Sequence, residues 1–434
     1  MKQQPEILYP MLYAHPHLLL PKRSYQSPAG SIDIAIEGAV GGKATVGVAL
    51  GGHFDTGTQA GQNKIAAALV CDTAYEKTGS TCEVAILKAK LLRNTGGSGT
   101  CVITLEDKVK CFGTGYFGSG TSSAFSVPTE VTVFQGAKDI ALGAHMCAIM
   151  SDNSVKCGGR NNYGQLGLGD TTDRATPVTV SGFQGAKSIY TGPFTTCAIF
   201  NDNSVKCTGA NGLGTLGLGD YNDRSSAVTV PGFAGATQIV FGTSNTCALL
   251  SNQKVVCTGY LGYGSLSLSN SPYRNTPVEI QDFAGALEIT AGALHTCARI
   301  ADGSVKCIGQ NYSYQLGDGS NTDRPSAVTI PELQNAVSIS AGTYSTCAVL
   351  PGGSAKCAGW NTSGELGTGN VSNQPSPVAA YSSNTVSSIS VSISHSCAIV
   401  ANSKVKCSGD NGYYQLGNID QVDHTTPVFV VKGN

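Results

Sequence analysis

Seven cysteine pairs in this chain share one spacing. Cys101 with Cys111, Cys147 with Cys157, Cys197 with Cys207, Cys247 with Cys257, Cys297 with Cys307, Cys347 with Cys357 and Cys397 with Cys407 each enclose nine residues, and from Cys147 onward the pairs recur every 50 residues without an insertion. Cys71 and Cys82 form an eighth local pair, so none of the 16 cysteines is left over. This reads as a disulfide framework of an oxidising compartment. Metal binding fits less well, because no Cys-x2-Cys is present and each pair would need further ligands from elsewhere. The spacing also predicts a hairpin. If Ser151, Asp152 and Asn153 make a three-residue turn, Met150 faces Ser154 and Cys147 faces Cys157. Asn153, Asn203, Gly303 and Gly353 at the third turn position tolerate the left-handed conformation such a turn needs. Counting outward, each cysteine pair lands on a non-hydrogen-bonded position, where Cα atoms sit about 4.5 Å apart, within disulfide range.

The rest of the sequence keeps the same register. Leu166, Leu216, Leu266, Leu316, Leu366 and Leu416 fall 50 apart, as do Val178, Val228, Val278, Val328, Val378 and Val428. The first unit is shorter, at 46 residues. Each unit supplies about four short strands: an inner one near Lys187 to Thr191, the stapled hairpin and an outer one near Val228 to Val230. Seven such units predict an all-β, seven-bladed propeller, whose closure removes long exposed edges. Only 13% of residues are charged and the net charge is -1, so no basic excess exists to neutralise phosphates and nucleic acid is not an expected partner. No apolar run approaches the roughly 20 residues of a membrane span.

The run His295-Thr296-Cys297-Ala298, Asp302-Gly303-Ser304-Val305-Lys306-Cys307-Ile308-Gly309-Gln310-Asn311 and Gln315-Leu316-Gly317-Asp318-Gly319 resembles the regulator of chromosome condensation repeat. The resemblance covers about residues 93 to 434, implies a seven-bladed propeller and is nearer to the cysteine-stapled, exported bacterial branch than to the nuclear one. The family's usual Trp after the second cysteine is replaced by Phe112, Gly158, Thr208, Thr258, Ile308, Ala358 and Ser408. Nuclear members act as guanine-nucleotide exchange factors. That remote alternative conflicts with the disulfides, the balanced charge and the uninterrupted spacing.

No catalytic constellation is present: no Gly-x-Ser-x-Gly, no His-Glu-x-x-His, no phosphate loop and no unpaired cysteine. A non-enzymatic protein without cofactor is expected. His145, His295 and His395 stand two residues before a cysteine and would bind a metal if they converged near the axis. Thr195, Asn245 and Ser345 at equivalent positions favour a polar cap instead. Asp170, Asp173, Asp220, Asp223, Asp318, Asp323, Asp420 and Asp423 would suit calcium, but neighbouring Arg174, Arg224, Arg324 and His424 favour structural ion pairs. The units diverge just after the second cysteine, at Tyr116-Phe117, Arg160, Tyr163, Tyr260, Tyr263, Tyr312, Tyr314, Trp360, Tyr413 and Tyr414. These loops are expected on one rim, where the rings either recognise a protein or sugar or fill gaps between blades. Sequons occur at Asn311, Asn361 and Asn370.

Residues 31–92 fall outside the repeat and read as a small β module. In it, Ser31 to Glu37 pairs with the run through Val46, Val48 and Leu50, and Ile65 to Cys71 pairs with Cys82 to Leu87. Residues 1–30 form an extended arm in which Pro5, Pro10, Pro16, Pro21 and Pro28 separate Leu8, Tyr9, Leu12, Tyr13, Leu18, Leu19 and Leu20. No apolar stretch there is long enough for a signal-peptide core. Such an arm would add to a neighbouring copy. The leading expectation is thus a secreted or cell-surface propeller that assembles with itself, as a surface layer or filament. The alternatives are a monomeric extracellular binder of protein or glycan (adhesin, sugar-binding protein or protein inhibitor) that uses the aromatic rim, and a virion protein.

Overall fold

The computed structural model describes residues 85–94, 97–117, 123–262, 273–382 and 384–433, together with the backbone of six short strands between 24 and 84. Seven four-stranded antiparallel sheets follow one another along the chain: Ala89–Glu130, Ala137–Thr179, Ser188–Thr229, Ala236–Glu279, Ala286–Thr329, Ser338–Ala380 and Val386–Phe429, here blades 1 to 7. Blade 3 serves as the pattern, with strands Ser188–Thr191, Thr195–Ile199, Val205–Gly209 and Arg224–Thr229 in that order. First strands of neighbouring blades touch and ring the axis. Their edges are closed by side chains from the blade before: Ile289 N donates to Gln238 Oε1 at 2.9 Å, Ala341 N to Thr290 Oγ1 at 2.8 Å and Val391 N to Ser340 Oγ at 3.2 Å. Inner-edge groups that would otherwise template aggregation are satisfied this way.

The expected hairpin forms. Met150 N donates to Ser154 O, Cys147 pairs with Cys157, and Asn153, Asn203, Gln253, Gly303 and Gly353 all take positive φ. Every expected bridge of the repeat is made: Cys101 to Cys111 in blade 1, then Cys147 to Cys157, Cys197 to Cys207, Cys247 to Cys257, Cys297 to Cys307, Cys347 to Cys357 and Cys397 to Cys407 in blades 2 to 7. The bridged Cα atoms lie 4.1 to 4.2 Å apart, somewhat closer than the separation expected for a non-hydrogen-bonded pair. A loop this short contributes about 2–3 kcal/mol. The bridges sit in apolar cores that lie between blades: Cys197, Cys207, Leu216 and Phe233 from one repeat pack on Ala236, Ile239 and Ala248 of the next. Phe134, Phe183, Phe233, Phe283, Leu333 and Tyr381 are the fully buried anchors of the links between blades. Truncating Phe233 to Ala would cost about 3–5 kcal/mol. Leu166, Leu216, Leu316, Leu366 and Leu416 are buried as their spacing requires; Leu266 lies outside the described residues.

The ring closes without exchanging a strand between blades. Ala85 to Lys88 runs antiparallel to the end of blade 7: Leu87 N donates to Val430 O, Val405 N to Leu87 O and Lys432 N to Ala85 O. Leu87 enters the closing core with Phe112, Val405 and Val430. The innermost strand of blade 1 is Ala89–Asn94, and the clasp directly precedes it. Two pairings in the first segment differ from expectation. Thr81–Val84 pairs with Tyr75–Thr78, and Leu69–Val70 with Gly47–Val48, while Gly30–Asp33 pairs with Ser24–Ser27. Only two residues separate Ser24–Ser27 from Gly30–Asp33 and Tyr75–Thr78 from Thr81–Val84, connections shorter and less costly to close than those that alternation implied. Cys71, and with it the expected bridge to Cys82, lies outside the described residues, as do the arm residues Leu8, Tyr9, Leu12, Tyr13, Leu18, Leu19 and Leu20.

Candidate functional site

A four-stranded meander sends its connections alternately to two faces. The first–second connection and the long third–fourth loop leave from one, here the loop face; the stapled turns and the links between blades leave from the other, the turn face. The third–fourth loops are built on a buried Asn. Asn161 Oδ1 accepts from Leu166 N at 2.9 Å, its Nδ2 donates to Asp170, and its own N–H donates to Asp173 Oδ1 at 2.6 Å. Asn211, Asn311, Asn361 and Asn411 repeat this, all fully buried. The acidic residues belong to this scaffold: Arg174 meets Asp170, Arg224 meets Asp220, Arg324 meets Asp318 and His424 meets Asp420. Asp223, Asp323 and Asp423 accept the Asn N–H as Asp173 does. These carboxylates are structural partners, as their neighbouring cations implied. The same construction settles two sequons. Asn311 Nδ2 donates to Asp318 and Ser320, and Asn361 Nδ2 to Thr368 and Asn370, inside the protein, so neither can carry a glycan in the folded blade. Asn370 is exposed.

The three histidines do not meet. Each lies fully buried at the start of a second strand and reaches the following blade: His145 Nε2 to Thr196 Oγ1 at 2.6 Å, His295 Nε2 to Thr346 Oγ1 at 3.0 Å and His395 Nε2 to Thr100 Oγ1 at 2.9 Å. Thr196 and Thr346 donate their hydroxyl protons to the carbonyls of Gln165 and Gln315, so the imidazoles donate from Nε2. Each Nδ1 is buried without a partner, and burial pushes His145 down to about 3 and His295 and His395 to about 4. They are neutral ties between blades, and the cap expected within one strand is a bond across two.

The aromatic positions divide. Tyr163 packs on Phe194 at 5.2 Å, and Tyr312 on Tyr344 at 5.8 Å with Trp360 beyond at 6.4 Å; each cluster spans two blades. Tyr260 packs on Tyr273 within blade 4. Tyr163, Tyr221, Tyr273, Tyr312, Trp360 and Tyr413 are the exposed Tyr and Trp side chains among the described residues, and all stand on the loop face. Tyr413 is 59% exposed. On the turn face the exposed aromatic is Phe429. The rings thus both bridge blades and present an edge to solvent. Arg160 lies 5.6 Å over the Tyr116 ring on this face. Phe117 is buried against Phe125 and belongs to the core. Tyr314 and Tyr414 are half-buried with φ of 64° and 61°, where Gly164, Gly214 and Gly364 fill the same place in other blades. Tyr263 lies outside the described residues. The sequence reading had not singled out Phe194, Tyr344, Tyr221 or Tyr273. The first two sit in first–second connections, whose position beside the neighbouring third–fourth loop follows only from the blade geometry.

Residues 153–199, 302–349 and 357–399 match a family profile described as the regulator of chromosome condensation (RCC1) repeat, and 386–415 match a second profile of the same description. The matched stretches are RCC1 repeats, and they lie in blades 2 and 3, 5 and 6, and 6 and 7. The chain is 36% identical over 98 residues to the ultraviolet-B receptor UVR8 of Arabidopsis thaliana, and 35% over 100 residues to the X-linked retinitis pigmentosa GTPase regulator of Canis lupus familiaris. Those stretches are 21% and 22% of this chain, and 22% and 10% of the two relatives. Among solved structures, Prp20p of Saccharomyces cerevisiae superposes with a TM-score of 0.66 at 19% identity, covering 76% of this chain and 87% of that one. Human WBSCR16 gives 0.66 at 18% identity, covering 75% and 95%. These likenesses establish the fold. In this propeller every blade carries an internal disulfide, and among the described residues there is no free cysteine. No helix among the described residues is long and apolar enough to cross a membrane.

Proposed function

We propose that this RCC1 propeller is an exported, non-enzymatic recognition protein whose loop face binds an extracellular protein or glycan. The observation that carries this reading is the segregation of exposed Tyr and Trp to one face, on loops that vary between repeats whose framework does not. Rings held on a rigid scaffold offer contact area at little entropic cost. Seven buried disulfides suit an oxidising compartment. The domain division into arm, β module and propeller, and self-assembly through Leu8 to Leu20, rest on the sequence alone.

The test compares two triple variants on an array of extracellular glycans and secreted proteins from the source organism. Tyr163→Ala/Tyr312→Ala/Trp360→Ala should abolish binding of whatever the wild type retains, while Leu287→Ala/Val337→Ala/Phe429→Ala on the turn face should leave it intact. The reverse pattern would overturn the reading.

A further inference from the structure

Between blades 6 and 7 the loop face holds three carboxylates, each at a position where at least one other blade has a neutral side chain. At positions 165, 315 and 415 a Gln accepts the N–H of the residue two before it, from Tyr163, Ser313 and Tyr413 at 2.7 to 2.9 Å. Glu365 does the same task through Oε2, from Ser363 N at 2.9 Å. Its other oxygen, Oε1, is buried and without a partner. Asp423 caps Asn411 N, yet in blade 6 the neutral Asn373 makes the same cap on Asn361 N at 2.8 Å. Asp410, which accepts from Gly412 N at 2.8 Å and Ser394 Oγ at 3.2 Å, stands where other blades have Arg160, Ala210, Tyr260, Gln310 and Trp360.

These three groups share one neighbourhood. The Glu365 backbone lies against Gly409, next to Asp410, and its carbonyl accepts from Ser396 Oγ of blade 7. Burial, with Asp410 and Asp423 opposing its charge, pushes Glu365 up to about 7. No ion pair among the described residues includes Glu365, Asp410 or Asp423. A carboxylate held without a cation near two others is costly, and an external cation would relieve that cost. The described side chains include no group close enough to ligate a metal ion. A cation on a long, flexible stem fits this spread better. Lysine is also segregated across the ring: all 14 lysines among the described residues stand on the turn-face half, while the loop-face arginines Arg174, Arg224 and Arg324 are paired with aspartates of their own blades and Arg160 lies over Tyr116. Exposed rings suited to a cation stand on the same two blades, Trp360 and Tyr413.

We propose that the loop face between blades 6 and 7, marked by Glu365, Asp410 and Asp423 with Trp360 and Tyr413 on the same blades, seats lysine or arginine side chains of a cationic protein partner. This rests on the loop-face reading above and names the chemistry of its partner.

The probe is a labelled nonalysine peptide, with a Gly-Ser peptide of equal length as control, titrated against the full chain at low and physiological salt. Wild type should bind nonalysine and not the control. Asp410→Asn/Asp423→Asn should weaken binding by about tenfold or more. Asp173→Asn/Asp223→Asn, the same charge change on blades 2 and 3, should change it by less than about twofold, because those carboxylates lack a buried neighbour like Glu365. Equal losses from the two double variants would mean diffuse attraction and overturn the proposal, as would unchanged binding in Asp410→Asn/Asp423→Asn. Glu365→Gln keeps the Ser363 bond and should bind less tightly than wild type while remaining folded. If the natural partner is lost on Trp360→Ala/Tyr413→Ala but kept on Asp410→Asn/Asp423→Asn, the loop-face reading stands and the cationic class falls. Concentration-dependent association of wild type alone, ended by Asp410→Asn/Asp423→Asn, would make the occupant the lysine-bearing turn face of a second copy and overturn the separate partner.

Discussion

On the turn face, successive stapled turns repeat one backbone solution, with Asp107, Asn153, Asn203, Gln253, Gly303, Gly353 and Ser403 at positive φ closing the hairpins, and all the described lysines gather on that half of the ring. On the loop face the backbone solution is just as constant, since a buried Asn carries each described third–fourth loop from blades 2, 3, 5, 6 and 7. The residues around it nevertheless change from blade to blade, from Arg160 to Ala210, Gln310, Trp360 and Asp410. The same repeat thus builds a uniform face and a varied one. Where the backbone task leaves a side chain free, the loop face spends that freedom on rings and carboxylates, and its charge opposes that of the turn face.

The largest effect expected lies under the loop face. His145, His295 and His395 titrate near 6.5 when unfolded and at about 3 to 4 when folded, so the unfolded chain binds more protons in between. Stability is full above pH 6.5 and falls as pH drops toward 4, by about 3 kcal/mol for each histidine. Urea unfolding at pH 7 and pH 4 measures the loss. His295→Asn, which copies Asn245 of blade 4, should remove one proton from the slope. Next, Asn311→Ala deletes bonds to Leu316, Asp318 and Ser320 and should cost about 3 kcal/mol, seen as a lower unfolding midpoint. It should also loosen hydrogen exchange in the blade 5 loop before the turn below it.

Glu365→Gln should stabilise. The Glu365 carboxyl is raised from 4.5 to about 7, so the folded state holds the extra proton in that window and wild-type stability falls as pH rises through it, remaining low above pH 7. The variant should gain up to about 3 kcal/mol at pH 8 and nothing at pH 4, a sign opposite to that of the histidines. Asp173→Asn should change stability by less than about 0.5 kcal/mol, because Asn373 already shows the amide in that role. A large loss there would mean that the carboxylate, and not the acceptor oxygen, is what the loop needs.

The uniform face was the legible one. Nine residues between cysteines force a three-residue turn, and the turn fixes the cross-strand register, the disulfide and the four-stranded blade. Contacts 51 residues apart, such as His145 with Thr196, join different blades and leave no trace in local spacing. Asn161 recurs at 211, 311, 361 and 411, a signal strong enough to have exposed its framework role, but in isolation two of these positions look like sequons. Glu365 was readable in the same way, as the odd carboxylate in a column holding Gln165, Gln315 and Gln415. Its burial was not, since that depends on blade 7 packing over it. The clasp at Ala85 to Lys88 falls outside the repeat register, so spacing alone left it invisible.

If the loop face binds a separate partner, the protein has no need of a second copy of itself. Light scattering on the native, non-reduced protein tests this most directly. The account predicts a monomer of 44.4 kDa across the accessible concentration range. A polymer or large ring that dissolves when residues 1–30 are removed would contradict it and make the protein a self-assembling structural subunit.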